Sequence, residues 1–201
     1  MTKIKFCGFI DENEAIQACS IGIDFIGFNF VKESNRFISP EKAKDIIAKL
    51  PERVKKVGVF VDETPQRVNF IRQYCGLDFV QFHGFETPEY CSQFRNYIKA
   101  FRIKDSASLE PVKNYGTEFV LLDTFVEDKI GGTGKSFNWG LVNEVSDKSV
   151  FLAGGLTSEN VAEAISVAEP FAVDVASGIE IGPGRKGLEK MRAFVEAVRG
   201  Q

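Results

Sequence analysis

Histidine is nearly absent from this 201-residue chain: His83 is the only one. The four cysteines, Cys7, Cys19, Cys75 and Cys91, are irregularly spaced and form no C-x-x-C pair, so neither a Cys/His zinc site nor a disulfide framework fits. Long apolar runs are missing too, and none approaches the roughly 18 residues that a membrane-crossing helix needs. Basic residues do not dominate: 25 Lys and Arg stand against 28 Asp and Glu, a net charge of −3, and no basic block could follow a nucleic-acid backbone. No nucleic-acid partner, membrane partner or metal is expected. The opening run Met1-Thr2-Lys3-Ile4-Lys5-Phe6 leads straight into strand-like sequence, so a cytoplasmic protein is expected.

What the chain does have is a recurrence. Its 44% hydrophobic content is enough for one sizeable core, and 201 residues are short for two ordinary domains. Short β-branched and aromatic runs recur about every 25 residues, with amphipathic helical stretches between them. They are Ile4–Cys7, Phe25–Phe28, Lys56–Val61, Phe79–Phe82, Ile98–Ile103, Phe119–Leu122, Val150–Ala153 and Ala172–Val175, each apolar enough for a strand buried on both faces. Helix starts are signalled by Asp11, by Ser39-Pro40-Glu41, by Thr64-Pro65 and by Thr87-Pro88-Glu89, and later ones by Ser108, Ser158 and the Gly187 region. With no linker or low-complexity tract, eight βα units predict a single α/β domain over residues 1–201, a (βα)₈ TIM barrel. An open doubly wound sheet is the alternative.

In such a barrel the chemistry sits at the C-terminal strand ends and in the loops that follow. Gly154-Gly155 after strand 7 and Ser177-Gly178 after strand 8 are where backbone N–H groups bind a phosphate; the alternative is a pair of tight turns. Gly131-Gly132-Thr133-Gly134-Lys135 fails the Walker spacing, because Lys129 stands where the first glycine belongs, and reads instead as part of an active-site lid or a surface loop. Cys7 ends the first strand, as a base, a nucleophile or a small core residue. Asp123 ends an apolar run, where desolvation would raise its pKa and make it a proton donor, unless it caps the next turn. Arg36 offers a fork for a carboxylate if it is not simply solvated. Asp174, Gln81 and His83 complete the candidates, as lining of the mouth or as structural partners.

Taken together, Lys5-Phe6-Cys7-Gly8, Ser34-Asn35-Arg36-Phe37, Gln81-Phe82-His83-Gly84, Leu122-Asp123-Thr124, Gly131-Gly132-Thr133-Gly134-Lys135, Ala153-Gly154-Gly155-Leu156 and Asp174-Val175-Ala176-Ser177-Gly178-Ile179-Glu180 resemble the phosphoribosylanthranilate isomerases of tryptophan biosynthesis. The resemblance is ordered and covers nearly the whole chain. It implies an Amadori rearrangement of a phosphosugar substrate, N-(5′-phosphoribosyl)anthranilate, without metal or organic cofactor. It further implies Asp123 as general acid, Cys7 as general base, Arg36 opposite the anthranilate carboxylate, and the loops after strands 7 and 8 as the phosphate site.

Four positions depart from the family pattern: Asn35 for a proline, Phe9-Ile10 for Ile-Thr, Ala176 for a serine and Asn138 for an aspartate. None touches Cys7, Asp123 or Arg36. A phosphosugar epimerase would need several histidines, and a related tryptophan-pathway synthase a longer chain with catalytic lysine and glutamate. A non-catalytic phosphate-binding module is the third alternative, and the oligomeric state is open.

Overall fold

The computed structural model describes residues 1–124, 139–145 and 147–200. Eight parallel strands close into a barrel in chain order: β1 (Lys3–Cys7), β2 (Phe25–Asn29), β3 (Lys55–Phe60), β4 (Phe79–Phe82), β5 (Tyr97–Ile103), β6 (Phe119–Thr124), β7 (Ser149–Ala153) and β8 (Ala172–Val175). Each of the eight expected runs is a strand, with ends within two residues of the reading above. The open sheet is excluded by the pairing of β8 with β1, which sets Asp174 beside Lys5.

Strand periodicity explains how this barrel is filled. Side chains alternate inward and outward, and the inward set is apolar at the base: Phe25, Phe151, Val57, Ile98, Leu121 and Ala172 form one buried cluster. Phe25 meets Phe151 edge to face at 5.1 Å, and Phe79 meets Phe119 in the same way at 5.5 Å, so aromatic rings close the bottom. Two or four residues further along the same strands the inward positions turn polar: Gln81 and His83 above Phe79, Asp123 above Leu121, Asp174 above Ala172. The polar ring at the top is thus carried by an apolar plug below it.

The early helices begin where their caps predict. Asp11, Ser39, Thr64 and Thr87 each accept a hydrogen bond from the amide three residues on, a contact worth about 1 kcal/mol. They open α1 (Glu12–Ser20), α2 (Pro40–Ile47), α3 (Pro65–Cys75) and the single turn α4 (Pro88–Cys91). The later half differs. Between β5 and β6 the chain forms tight 3₁₀ turns over Ser106–Asn114, opened by Asp105 with Ser108 as its reciprocal partner. Pro111, inside that segment, has no N–H to give and obstructs regular α-helix. Trp139–Val145 has the same form before β7. Ser158 opens no helix; its hydroxyl bonds Glu159, and α5 (Val161–Ala168) starts after Asn160. The last helix, α6 (Leu188–Arg199), follows Gly187 as expected. Among the described residues no helix is long and apolar enough to cross a membrane.

A buried ion pair fixes the loop after β4. Lys99 Nζ donates to Glu86 Oε2 at 3.1 Å and to the carbonyl of Gly84 at 2.8 Å, while Glu86 Oε1 accepts the amides of Asp62 at 2.8 Å and Gly84 at 3.2 Å. The two side chains are 4% and 1% exposed, so removing one leaves the other charge in a dry site. Glu86→Ala is expected to cost about 3–5 kcal/mol, read as a lowered urea midpoint at unchanged slope; a loss within experimental error would show that this pair is not what holds the loop.

Candidate active site

Cys7 stands at the mouth end of β1, two residues beyond the fully buried Lys5. Its thiol fits because the neighbouring strand carries Gly27: a β-carbon there would lie 2.5 Å from Cys7 Sγ. Lys5 Nζ donates to Asp174 Oδ2 at 2.9 Å, so a buried ion pair lies beneath the thiol. Burial pushes the Cys7 pKa up, the positive charge of Lys5 pulls it back, Asp174 raises it and Lys186 lowers it. Burial prevails, and Cys7 rests as a thiol at neutral pH.

Asp123 lies on β6 in register between Arg102 of β5 and Ala153 of β7. In the chain order of the barrel, β7 and β8 separate its strand from that of Cys7. Burial raises its pKa, the charge of Asp174 raises it further, and Arg102 opposes both. The carboxyl therefore keeps its proton to higher pH than an exposed aspartate, which suits a proton donor.

His83 and Gln81 occupy the same wall, and their Nε2 atoms are in close contact. Burial, together with Lys5, Lys99 and Arg102, drives the His83 pKa down to about 3, so its ring is neutral across the physiological range. Two buried acceptors of this region, Gln81 Oε1 and Asp174 Oδ1, have no hydrogen-bond partner among the described residues.

The loops after β7 and β8 form one concavity of about 320 Å³, lined by residues 155–159, by Ser177 and Gly178, and by Lys190. Gly154 and Gly155 both have positive φ, 97° and 61°, the backbone state that glycine adopts without strain. Gly178 is required for a different reason: a β-carbon on it would sit 2.0 Å from the carbonyl oxygen of Leu156. The two loops touch at that point. Lys190 was not among the candidates; from α6 its Nζ reaches the Glu180 carbonyl at 2.7 Å and brings positive charge to the cavity.

Arg36 is half-buried near Cys7 and bound side-on by Glu180, Nε to Oε1 at 2.7 Å and Nη2 to Oε2 at 2.9 Å. Lys5, Glu180 and Lys186 were not among the candidate site residues, although the first two lie in the quoted motifs. For Lys5 a signal existed, since it shares the inward face of β1 with Cys7, two positions away. The Gly131–Lys135 segment and Asn138 lie outside the described residues.

A strand-end thiol and a strand-end carboxyl, on a (βα)₈ barrel with two touching glycine-containing loops after β7 and β8, make a narrow set of features to match against other proteins. The family model for N-(5′-phosphoribosyl)anthranilate isomerase matches residues 4–197. The chain belongs to that family. An N-(5′-phosphoribosyl)anthranilate isomerase of Trichlorobacter lovleyi is 46% identical over 198 residues, 97% of each chain. The crystal structure of phosphoribosyl anthranilate isomerase from Thermotoga maritima superposes with a TM-score of 0.92 at 39% identity, covering all of both chains. A phosphoribosyl anthranilate isomerase solved in complex with reduced 1-(o-carboxyphenylamino)-1-deoxyribulose 5-phosphate superposes with a TM-score of 0.90 at 38% identity, again over both full chains.

Proposed function

We propose that this protein is a phosphoribosylanthranilate isomerase, converting N-(5′-phosphoribosyl)anthranilate into 1-(2-carboxyphenylamino)-1-deoxyribulose 5-phosphate in the cytoplasm. The observation that carries the reading is the placement of Cys7 and Asp123 at one barrel mouth, on strands separated by β7 and β8, in a chain of this family. The phosphate of the substrate binds the N–H groups of Gly154-Gly155 and Ser177-Gly178, and its carboxylate meets Arg36.

The chemistry follows from the two proton-carrying groups. Asp123 gives its proton to the ribose ring oxygen; the bond from that oxygen to C1′ breaks as the anthranilate nitrogen lone pair moves in, leaving a Schiff base cation. Cys7, as thiolate, takes the proton from C2′. The C–H electron pair forms the C1′–C2′ double bond, the C1′=N pair returns to nitrogen, and the resulting enolamine tautomerises to the ketone. Acid and base must address different faces of one sugar. Asp174 and Gln81, with their unpartnered acceptor atoms, and the neutral His83 supply hydrogen bonds to the sugar hydroxyls.

Purified protein is expected to consume phosphoribosylanthranilate generated in situ from anthranilate and phosphoribosyl pyrophosphate, with no metal added, followed by loss of the substrate's fluorescence. Binding of the product analogue without any turnover would replace the enzyme reading with a binding module. Arg36→Met should raise KM by an amount equivalent to about 2 kcal/mol, the scale of a lost charge-assisted contact, at nearly unchanged kcat. An unchanged KM with lowered kcat would remove Arg36 from carboxylate binding.

A further inference from the structure

Beyond the turn Ser177–Ile179 the chain folds into a small hairpin, β9 (Glu180–Gly182) and β10 (Arg185–Lys186). Glu14 of α1 anchors it, accepting from Arg185 Nε at 2.6 Å and from the Lys186 amide at 2.9 Å. The hairpin delivers two charged side chains to the mouth, Glu180 at 10% exposure and Lys186 fully enclosed. Lys186 Nζ donates to Glu180 Oε1 at 2.9 Å and to the carbonyl of Ala176 at 3.0 Å. Glu180 in turn holds the Nε and Nη2 edge of Arg36. One carboxylate is therefore shared between two cations, and the cluster carries a net charge of +1.

We infer that Glu180 and Lys186 are positioning residues for Arg36: the carboxylate fixes the guanidinium in one orientation, and the ammonium offsets the carboxylate so that Arg36 keeps its charge for the substrate. The inference rests on the function proposed above. A guanidinium has a second edge, Nη1 with the outer N–H of Nη2, and that edge can chelate a carboxylate in fork geometry. Side-on capture by Glu180 leaves this edge as the binding face. Glu180 alone would neutralise Arg36 and repel an incoming carboxylate; Lys186 restores the balance. A long side chain already held in place also loses less freedom when ligand arrives.

The same pair ties the two ends of the substrate site together. Lys186 reaches the backbone of Ala176, the residue before Ser177-Gly178, and Lys190 holds the Glu180 carbonyl from the phosphate cavity. Arg36 is thereby set at a fixed distance from the phosphate loop, and the site selects ligands with a carboxylate and a phosphate at that separation. Because Lys186 uses the carbonyl of residue 176, alanine at that position serves as well as serine.

The test compares two ligands, reduced 1-(o-carboxyphenylamino)-1-deoxyribulose 5-phosphate and its phenylamino counterpart without the carboxylate, by titration calorimetry on the full chain. Glu180→Gln and Lys186→Met should each weaken the carboxylated ligand by ~10-fold and leave the other within about twofold. In turnover, Glu180→Gln should raise KM with kcat nearly unchanged, and in an Arg36→Met background it should have no further effect on affinity. Equal weakening of both ligands, or effects that simply add to Arg36→Met, would overturn the inference, as would unchanged affinity. If Lys186→Met does not fold, the Glu180→Gln arm decides alone. Wild-type protein that neither binds the carboxylated ligand nor turns over substrate would overturn the proposed function and this inference with it; wild-type activity with an indifferent Glu180→Gln would overturn the inference only.

Discussion

Asp123→Asn is expected to lower kcat at least ~100-fold while KM stays within a few-fold of wild type. Asparagine keeps the size of the side chain and can still hydrogen-bond the ring oxygen, so binding survives. It cannot release a proton to that oxygen as the bond to C1′ breaks. The wild-type carboxyl is suited to this because burial and the nearby charge of Asp174 outweigh Arg102 and raise its pKa. The acid limb of the pH–rate profile should therefore lie above the ordinary aspartate range, and in the variant the limb at the Asp123 pKa should be lost, the residual rate rising with pH toward the Cys7 pKa instead. Near-normal turnover in Asp123→Asn would move the acid role to another group.

The strands were legible because parallel barrel strands are apolar on both faces, and eight such runs have few ways to close. The caps at Asp11, Ser39, Thr64 and Thr87 were legible because each carries its own side-chain acceptor. The later connections were not. Asp105 and Ser108 share one cap, and the chain over Ser106–Asn114 takes 3₁₀ form around Pro111, which helical periodicity does not report. In the site, strand-end position brought out Cys7, Asp123, Asp174, Gln81 and His83, since topology alone places such residues at the mouth. Lys5 was not named for a role, and the β8–β1 pairing is what puts Asp174 beside it. Glu180 and Lys186 depend on a hairpin of three and two residues, too short to show any alternation.

Cys7→Ala is expected to lose at least ~100-fold in kcat with affinity for the reduced product analogue retained. The argument turns on which protonation state works. Catalysis needs Asp123 protonated and Cys7 ionised, and burial raises both pKa values, yet at neutral pH it holds Cys7 as the thiol. Only a minor fraction of the enzyme is then competent. That fraction grows if the Asp123 pKa rises or the Cys7 pKa falls. Burial of Asp123 thus favours the reaction and burial of Cys7 opposes it; Lys5 and Lys186 counter the latter by stabilising the thiolate. For such a pair the bell-shaped profile has its acid limb at the lower pKa, that of Asp123, and its alkaline limb at the higher, that of Cys7. In whatever activity remains, alanine should abolish the limb at the Cys7 pKa and leave a fall in rate as pH rises through the Asp123 pKa. Cys7→Ser should be no better, because a hydroxyl is far harder to ionise than a thiol and the same two cations cannot make up the difference. Substantial activity in the serine variant, or a limb at the Cys7 pKa that survives in Cys7→Ala, would show that the C2′ proton leaves by another base.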